Sequence, residues 1–130
     1  MDKELLLKSH FHFIGIGGIG MSALAIGLIK KGYSVSGSDL VKNDETKKLE
    51  ELGAVIFTSQ IRQNIEFVIS KFTNKLINFV VSSAIKPENE EFLYCRKKKF
   101  INKTSLRDTC NANAHLYYIG GSWQPRKNIN

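Results

Sequence analysis

The chain has 130 residues, of which 42% are hydrophobic and 24% charged, and its formal net charge is +7 at pH 7. This length suits one domain with its own core, and the composition is typical of a globular protein. No apolar run approaches the roughly 18 residues of a membrane-spanning helix, and the first residues lack the pattern of a signal peptide. Cys95 and Cys110 form no CxxC pair. The sequence therefore predicts a reduced, cytoplasmic protein that contacts no membrane.

The positive charge favours anionic partners, either a small molecule or a polyanion. The densest basic cluster is residues 96–99, and no aromatic residues alternate with it as they do in proteins that bind single-stranded nucleic acid. We interpret the cluster as a solvated helix end and expect no nucleic-acid partner. A polyanion-binding surface is kept as the less favoured alternative.

Apolar spacing and turn residues predict alternating strands and helices along the first hundred residues. Gly32 and Gly53 each follow a helical pattern and are expected to end it as C′ glycines. In chain order, the predicted elements are strand 10–14, helix 19–31, strand 33–38, helix 46–52, strand 54–57, a helix within 61–70, strand 76–81 and helix 88–99.

This alternation predicts an α/β fold, a Rossmann-like doubly wound parallel sheet in a single domain spanning residues 1–101. Phe100 and Ile101 are interpreted as the start of a further strand. Segment 102–130 is polar and shows little periodicity, so it is expected to form an irregular C-terminal tail.

A glycine-rich segment joins the first strand to the first helix. Gly15, Gly17 and Gly20 fit the pattern G-x-G-x-x-G, in which one glycine permits a tight turn, one admits a pyrophosphate and one allows close helix packing. The helix N-terminus then offers free N–H groups and partial positive charge to a phosphate. The alternative is a glycine turn that serves packing alone.

Two further groups of polar residues follow predicted strands. Asp39 ends the second strand, where a nicotinamide enzyme holds a ribose. The small residues Ser36, Gly37 and Ser38 precede it and are expected to leave space beside the strand end for a sugar or base. Ser82 and Ser83 follow the strand at 76–81, at the edge where open α/β sheets bind ligands. Each group has a structural alternative, a turn or helix cap.

Other residues carry no predicted chemistry. His10 and His12 are expected to face the same side of a strand, but two histidines without a neighbouring acid or cysteine make a poor metal site, so no metal is predicted. No base is in place to activate Ser82 or Ser83, so no catalytic residue is assigned. Cys95 is interpreted as a packing residue.

Four segments together resemble the N-terminal domain of the Mur ligase family: HFIGIGGIGMSALA, GYSVSGSDL, LGAVIF and VVSSAIKPENEE. The likeness is strongest to the members that join L-alanine to UDP-N-acetylmuramate, and the murein-peptide ligases carry a similar opening. The resemblance implies a peptidoglycan-synthesis ligase domain that binds UDP-N-acetylmuramate rather than a dinucleotide. An NAD(P)-binding domain of an oxidoreductase or sensor is the alternative.

The resemblance also implies the binding residues. The diphosphate would contact Gly15, Gly17, Gly18, Ile19, Gly20, Met21 and Ser22. The uridine and sugar would lie near Ser38, Asp39, Ser82, Ser83, Ala84 and Ile85.

Full-length family members use ATP and Mg²⁺, which a P-loop of a central domain binds. No G-x-x-x-x-G-K-[ST] pattern occurs in this sequence, although Gly120 and Gly121 fall near its expected position. The chain is therefore interpreted as a fragment that lacks the central and C-terminal ligase domains, binds no cofactor and is inactive alone. Segment 102–130 is interpreted as truncated or frameshifted sequence.

Overall fold

The computed structural model describes residues 8–98 and 114–119. Within them, strands and helices alternate as predicted, and the ends of the eight predicted elements shift by no more than two residues. The elements are β1 Ser9–Ile14, α1 Ile19–Lys30, β2 Ser34–Ser38, α2 Asp44–Glu51, β3 Val55–Phe57, α3 Arg62–Lys71, β4 Leu76–Ser82, α4 Glu90–Lys97 and β5 Ala114–Ile119.

Helix ends follow from local side-chain chemistry. Asn43 caps α2 in a reciprocal capping box with Thr46, and Asn89 caps α4 by accepting from the Phe92 amide at 3.1 Å. The cap at Asn89 explains why α4 starts at Glu90 rather than at the predicted residue 88. Gly32, at φ +103°, follows α1 in the left-handed conformation that favours glycine, which confirms its predicted place at the helix end.

The five strands form one parallel sheet in the order β3-β2-β1-β4-β5. This order confirms the Rossmann-like doubly wound prediction, because the chain moves outward from β1 in one direction and then returns to β4 on its other side. In register, Ile14 lies beside Ser38 on one side and beside Val81 on the other. The carboxyl ends of β1, β2 and β4 therefore meet at one edge of the sheet.

Strand β5 lies in the segment for which the sequence predicts irregular structure. Its residues pair in parallel with β4, from Ala114 beside Ile77 to Ile119 beside Ser82. These six residues therefore belong to the sheet, because their backbone groups form hydrogen bonds with those of β4. The rest of segment 102–130 lies outside the described residues. Phe100 and Ile101, where the sequence predicts the start of a strand, also lie outside them.

Each face of the sheet has its own apolar core. Phe13, Val35 and Val80 pack on one face with Met21 and Leu49 from helices α1 and α2. The other face is covered by α3 and α4. Its core contains Ile14, Ile65, Val68, Ile77, Phe79, Val81, Phe92 and Cys95.

The basic end of α4 lies at the surface. Arg96, Lys97 and Lys98 are exposed at the end of α4, as a solvated helix end predicts, and Lys99 lies outside the described part. In residues 8–98 and 114–119, no helix combines the length and apolarity needed to cross a membrane.

Candidate functional site

The candidate site lies where β1, β2 and β4 end. The loop between β1 and α1, residues 15–18, is tied to β2, because the amides of Gly15 and Ile16 both donate to the Ser38 carbonyl at 2.9 Å. The Ile16 side chain is fully buried and lies against Gly37, where an added Cβ would stand 2.4 Å from its Cδ1 atom. Gly37 in β2 therefore makes room for the Ile16 side chain of the loop, whereas the sequence suggested that Gly37 left space for a ligand.

Asp39 holds the centre of this loop. Its Oδ2 atom accepts from the Gly17 amide at 2.8 Å, and its Oδ1 atom accepts from the Val41 amide at 3.2 Å. A Cβ on Gly17 would lie 2.7 Å from Oδ2, so a side chain there would displace the carboxylate. The sequence placed Asp39 beside a ribose and Gly17 beside a phosphate, but it did not join the two residues.

The N-terminus of α1 is open. Its cap is Gly18, which offers no side-chain bond, and the first turn contains no acidic residue. The amides of Ile19, Gly20 and Met21 occupy the first three helical positions, which have no acceptor within a helix. Gly18, Ile19 and Gly20 are exposed. This end of the helix can therefore donate to an anion, and its dipole adds partial positive charge.

The remaining residues of the predicted diphosphate loop contribute differently. Met21 is buried in the core, and the buried Ser22 hydroxyl donates to the Ile19 carbonyl at 3.1 Å, so both side chains are withdrawn from solvent. The sequence pattern predicts that one of its three glycines permits close packing of helix on strand. An added Cβ at Gly20 meets nothing within 4 Å, so packing does not require a glycine there.

The turn after β4 closes the other side of the loop. Its first residue, Ser82, accepts from the Ala84 amide through its hydroxyl at 3.2 Å and from the Ile85 amide through its carbonyl at 3.1 Å. Ser83 and Ala84 are exposed. The Ile85 side chain covers Gly15, where an added Cβ would lie 2.9 Å from its Cδ1 atom. The structure therefore brings the glycine loop, Asp39 and the 82–85 turn together.

A cleft of about 330 Å³ adjoins this edge, between the residue after Asp39 and the 84–86 turn. Its size lies at the lower end of the range for small-molecule sites. Both polar and apolar side chains line it, and Lys86 and Glu88 bring one positive and one negative charge. The lining residues are Leu40, Gln60, Ala84, Ile85, Lys86, Glu88 and Asn89.

A buried polar network lies beneath the site, and the sequence did not predict it. Ser38, assigned to the uridine and sugar, is fully buried, and its hydroxyl donates to Glu91 at 3.0 Å and accepts from Gln60 at 3.3 Å. His10 and His12 lie on the same face of β1, as expected, and both are fully buried. The Nε2 atom of His12 lies at hydrogen-bonding distance, 2.9 Å, from Oε1 of Glu91.

Burial shifts the pKa values of two groups in this region, His10 and Cys95. Burial, and then the nearby His12 and Lys75, lowers the pKa of His10 to about 3. Burial, and then Glu91, raises the pKa of the Cys95 thiol, which fits its predicted packing role. In the described part of the chain, no three His, Cys, Asp or Glu side chains are grouped to hold a metal ion.

The signal for the network was present in the sequence as alternation. Polar residues at 34, 36 and 38 of β2 and at 10 and 12 of β1 fall on one face of adjacent buried strands. Buried polar groups require partners, so this face predicted a polar residue in the helix above it. The partner, Glu91, is 79 residues from His12 in sequence, and no local spacing connects the two.

Together, the parallel sheet, the open helix N-terminus and the cleft at the same edge define a Rossmann-like domain with a candidate ligand site at its switch point. Residues 10–118 match the model of the Mur ligase family, catalytic domain. The chain belongs to the Mur ligase family. This membership confirms the resemblance seen in the sequence.

Curated relatives support the same assignment. The chain is 68% identical over 97 residues to the UDP-N-acetylmuramate–L-alanine ligase of Prochlorococcus marinus subsp. pastoris, covering 75% of this chain and 20% of that protein. It is 53% identical over 107 residues to the ligase of the same name from another Prochlorococcus marinus strain, covering 82% and 21%. The chain thus spans about a fifth of the length of these relatives. Their names give no support to the NAD(P)-binding alternative.

A solved structure shares the fold. The UDP-N-acetylmuramate:L-alanyl-gamma-D-glutamyl-meso-diaminopimelate ligase from Neisseria meningitides superposes with a TM-score of 0.58 at 24% identity, covering 69% of this chain and 26% of that one. The likeness concerns the arrangement of strands and helices.

Proposed function

We propose that this chain is the part of a UDP-N-acetylmuramate–L-alanine ligase that binds UDP-N-acetylmuramate. The observation that carries the proposal is the open N-terminus of α1 at the same sheet edge as a cleft of about 330 Å³, whose lining residue Ile85 covers Gly15. A nucleotide sugar contains a diphosphate, which the helix end suits, and a base and sugar that need an adjoining cleft. In the whole ligase the reaction would be ATP-dependent amide formation in peptidoglycan synthesis.

The proposed contacts divide between backbone and side chains. The amides of residues 19–21 would receive the diphosphate, while the glycines at 15, 17 and 18 keep the loop free of side chains. Asp39 already accepts the Gly17 amide, so its carboxylate is directed toward the loop and leaves the helix end to the phosphates. Ser83, Ala84 and Ile85 would flank the uridine and sugar. The buried Ser38 and the partly buried Ser82 would act through the turns that they stabilise.

The chain alone would bind substrate without turning it over. The sequence has no P-loop, and the residues around the site offer no group of carboxylates for Mg²⁺ in the described part. ATP and Mg²⁺ would therefore be held by domains that this chain does not contain. A cytoplasmic setting fits the proposal, since Cys95 is a free, buried thiol.

Isothermal titration of the 130-residue chain tests the ligand class. We expect saturable heat with UDP-N-acetylmuramate and none with NADH or a single-stranded oligonucleotide. Saturable binding of NADH alone would contradict the proposal in favour of a dinucleotide domain. Oligonucleotide binding alone, with a steep dependence on salt, would instead identify the basic end of α4 as a polyanion surface.

A matched pair of substitutions on α1 tests where the diphosphate lies. Gly20 and Gly27 are seven residues apart on the same helix, both are exposed, and an added Cβ at either meets nothing within 4 Å. Gly20→Leu places a bulky side chain beside the open helix end, so affinity for UDP-N-acetylmuramate should fall by about tenfold or more. Gly27→Leu serves as the control and should bind as the wild type does.

Thermal melts accompany both titrations. An added Cβ at either position meets nothing within 4 Å, and leucine has a higher helix propensity than glycine, so we expect both variants to melt no lower than the wild type. Unchanged affinity in Gly20→Leu would show that the diphosphate does not contact this end of the helix.

A further inference from the structure

The carboxylate of Glu91 is fully buried in helix α4 and accepts three hydrogen bonds. Oε1 lies 2.9 Å from His12 Nε2 and 3.0 Å from Ser38 Oγ, and Oε2 lies 2.6 Å from Asn64 Nδ2. A buried carboxylate is costly unless such partners compensate for the loss of water. Glu91 therefore joins three separate elements, β1, β2 and α3, to its own helix.

One of these partners connects Glu91 to the candidate site. The hydroxyl of Ser38 donates to Glu91, and the carbonyl of the same residue accepts from the amides of Gly15 and Ile16 at 2.9 Å. Gln60 donates to the Ser38 hydroxyl as well, at 3.3 Å. Ser38 is thus held from beneath by its side chain while its backbone fixes the start of the glycine loop.

The histidines extend the network away from the site in one direction. With each imidazole protonated on Nε2 alone, the hydrogen bonds from Ser34 to Glu91 form one series in which every donor lies on the side away from Glu91. His12 Nδ1 then accepts from Ser36 at 2.7 Å, and Ser36 accepts from His10 Nε2 at 2.8 Å. Such aligned bonds strengthen one another in a buried site, so they stiffen the anchor of Glu91.

We infer that Glu91 is a positioning residue for the ligand site: through Ser38 it fixes the glycine loop that precedes α1. The inference deepens the proposed function. Only the binding measurement that tests it depends on that function, because the hydrogen-exchange measurement uses the ligand-free chain. Glu91 touches no ligand in this arrangement, because it lies beneath the sheet edge with no exposed surface. Its effect on binding would arise from the placement of the Gly15 and Ile16 backbone.

Hydrogen exchange of the ligand-free chain tests the positioning directly. In Glu91→Gln the side chain has one acceptor oxygen and one donor NH₂ group, so the donor must face either Asn64 or the His12 and Ser38 pair. We expect the Gly15 and Ile16 amides to exchange about tenfold faster or more than in the control variant. The control is Val68→Ala, which removes buried apolar atoms from the same core without touching the network.

Two outcomes are decisive under conditions in which the variants remain folded. Faster exchange confined to the loop, with β4 amides unchanged relative to Val68→Ala, supports positioning. Equal exchange of the loop amides in Glu91→Gln and Val68→Ala would overturn it. If Glu91→Gln does not fold, Ser38→Ala replaces it, since that change removes only the hydroxyl on the loop side and leaves Glu91 with His12 and Asn64.

Titration with UDP-N-acetylmuramate gives a second measurement. Glu91→Gln and Ser38→Ala should each weaken binding by about tenfold, and the double variant should lose little more, because both interrupt one connection. Val68→Ala should bind as the wild type does. Undiminished binding in both single variants would overturn the inference. If the wild-type chain itself does not bind, the proposed function fails, while the exchange rates still decide whether Glu91 positions the loop.

Discussion

Lowering the pH from 7 to 4 is expected to reduce the free energy of unfolding by about 3 kcal/mol through one side chain, His10. The ring is fully buried, stacks on Phe72 with centroids 3.7 Å apart, and bonds Ser34 and Ser36. Burial, together with His12 and Lys75, lowers its pKa from 6.5 to about 3. Urea unfolding at pH 4, 5, 6 and 7 measures the effect.

The sign follows from proton binding. Between pH 6.5 and about 3 the unfolded chain binds a proton at His10 that the folded chain does not, so stability falls as the pH falls through this window. Stability from this group is complete above pH 6.5. His10→Gln keeps a side chain that can bond both serines but cannot titrate, so its stability at pH 7 should be lower and its acid slope shallower. An acid slope equal to that of the wild type would contradict the prediction.

Gly37→Ala is expected to lower the free energy of unfolding by about 3 kcal/mol, at the upper end of the cost of overpacking. The new Cβ would lie 2.6 Å from the Ile16 Cβ and 2.4 Å from its Cδ1. Rotation of the Ile16 side chain can move Cδ1 but not Cβ, so relief requires a shift of the loop or of β2. Chemical denaturation at pH 7 gives the change in unfolding free energy.

Gly27→Ala is the control for this substitution. It makes the same chemical change on the exposed side of α1, where no atom lies within 4 Å of the new methyl group. Because alanine has the higher helix propensity, this variant should be about 0.5–1 kcal/mol more stable than the wild type. Similar stability of the two variants would mean that Ile16 does not restrict residue 37.

Much of the fold could be predicted because its signals are local. The apolar runs of β1 and β4, the spacing in α1 and the glycines at 32 and 53 define elements independently of their neighbours. Alternation of strands and helices then restricts the sheet to a parallel, right-handed arrangement. β5 was not predicted, since AHLYYI follows a polar segment without clear periodicity, and its strand pairs with the edge of β4.

The sequence by itself determined the family, through the segments that resemble it, and it predicted the place of the candidate site. The glycine loop, Asp39 and the serines at the end of β4 mark strand ends that must meet at one sheet edge. Only the tertiary structure decided how those residues act on one another. It directs Asp39 to the Gly17 amide, fills the space at Gly37 with Ile16 and buries Ser38 above Glu91. These contacts join residues that are 21 to 53 positions apart in the sequence. Local spacing cannot predict them, because the packing of α4 and of the loop on the sheet brings these residues together.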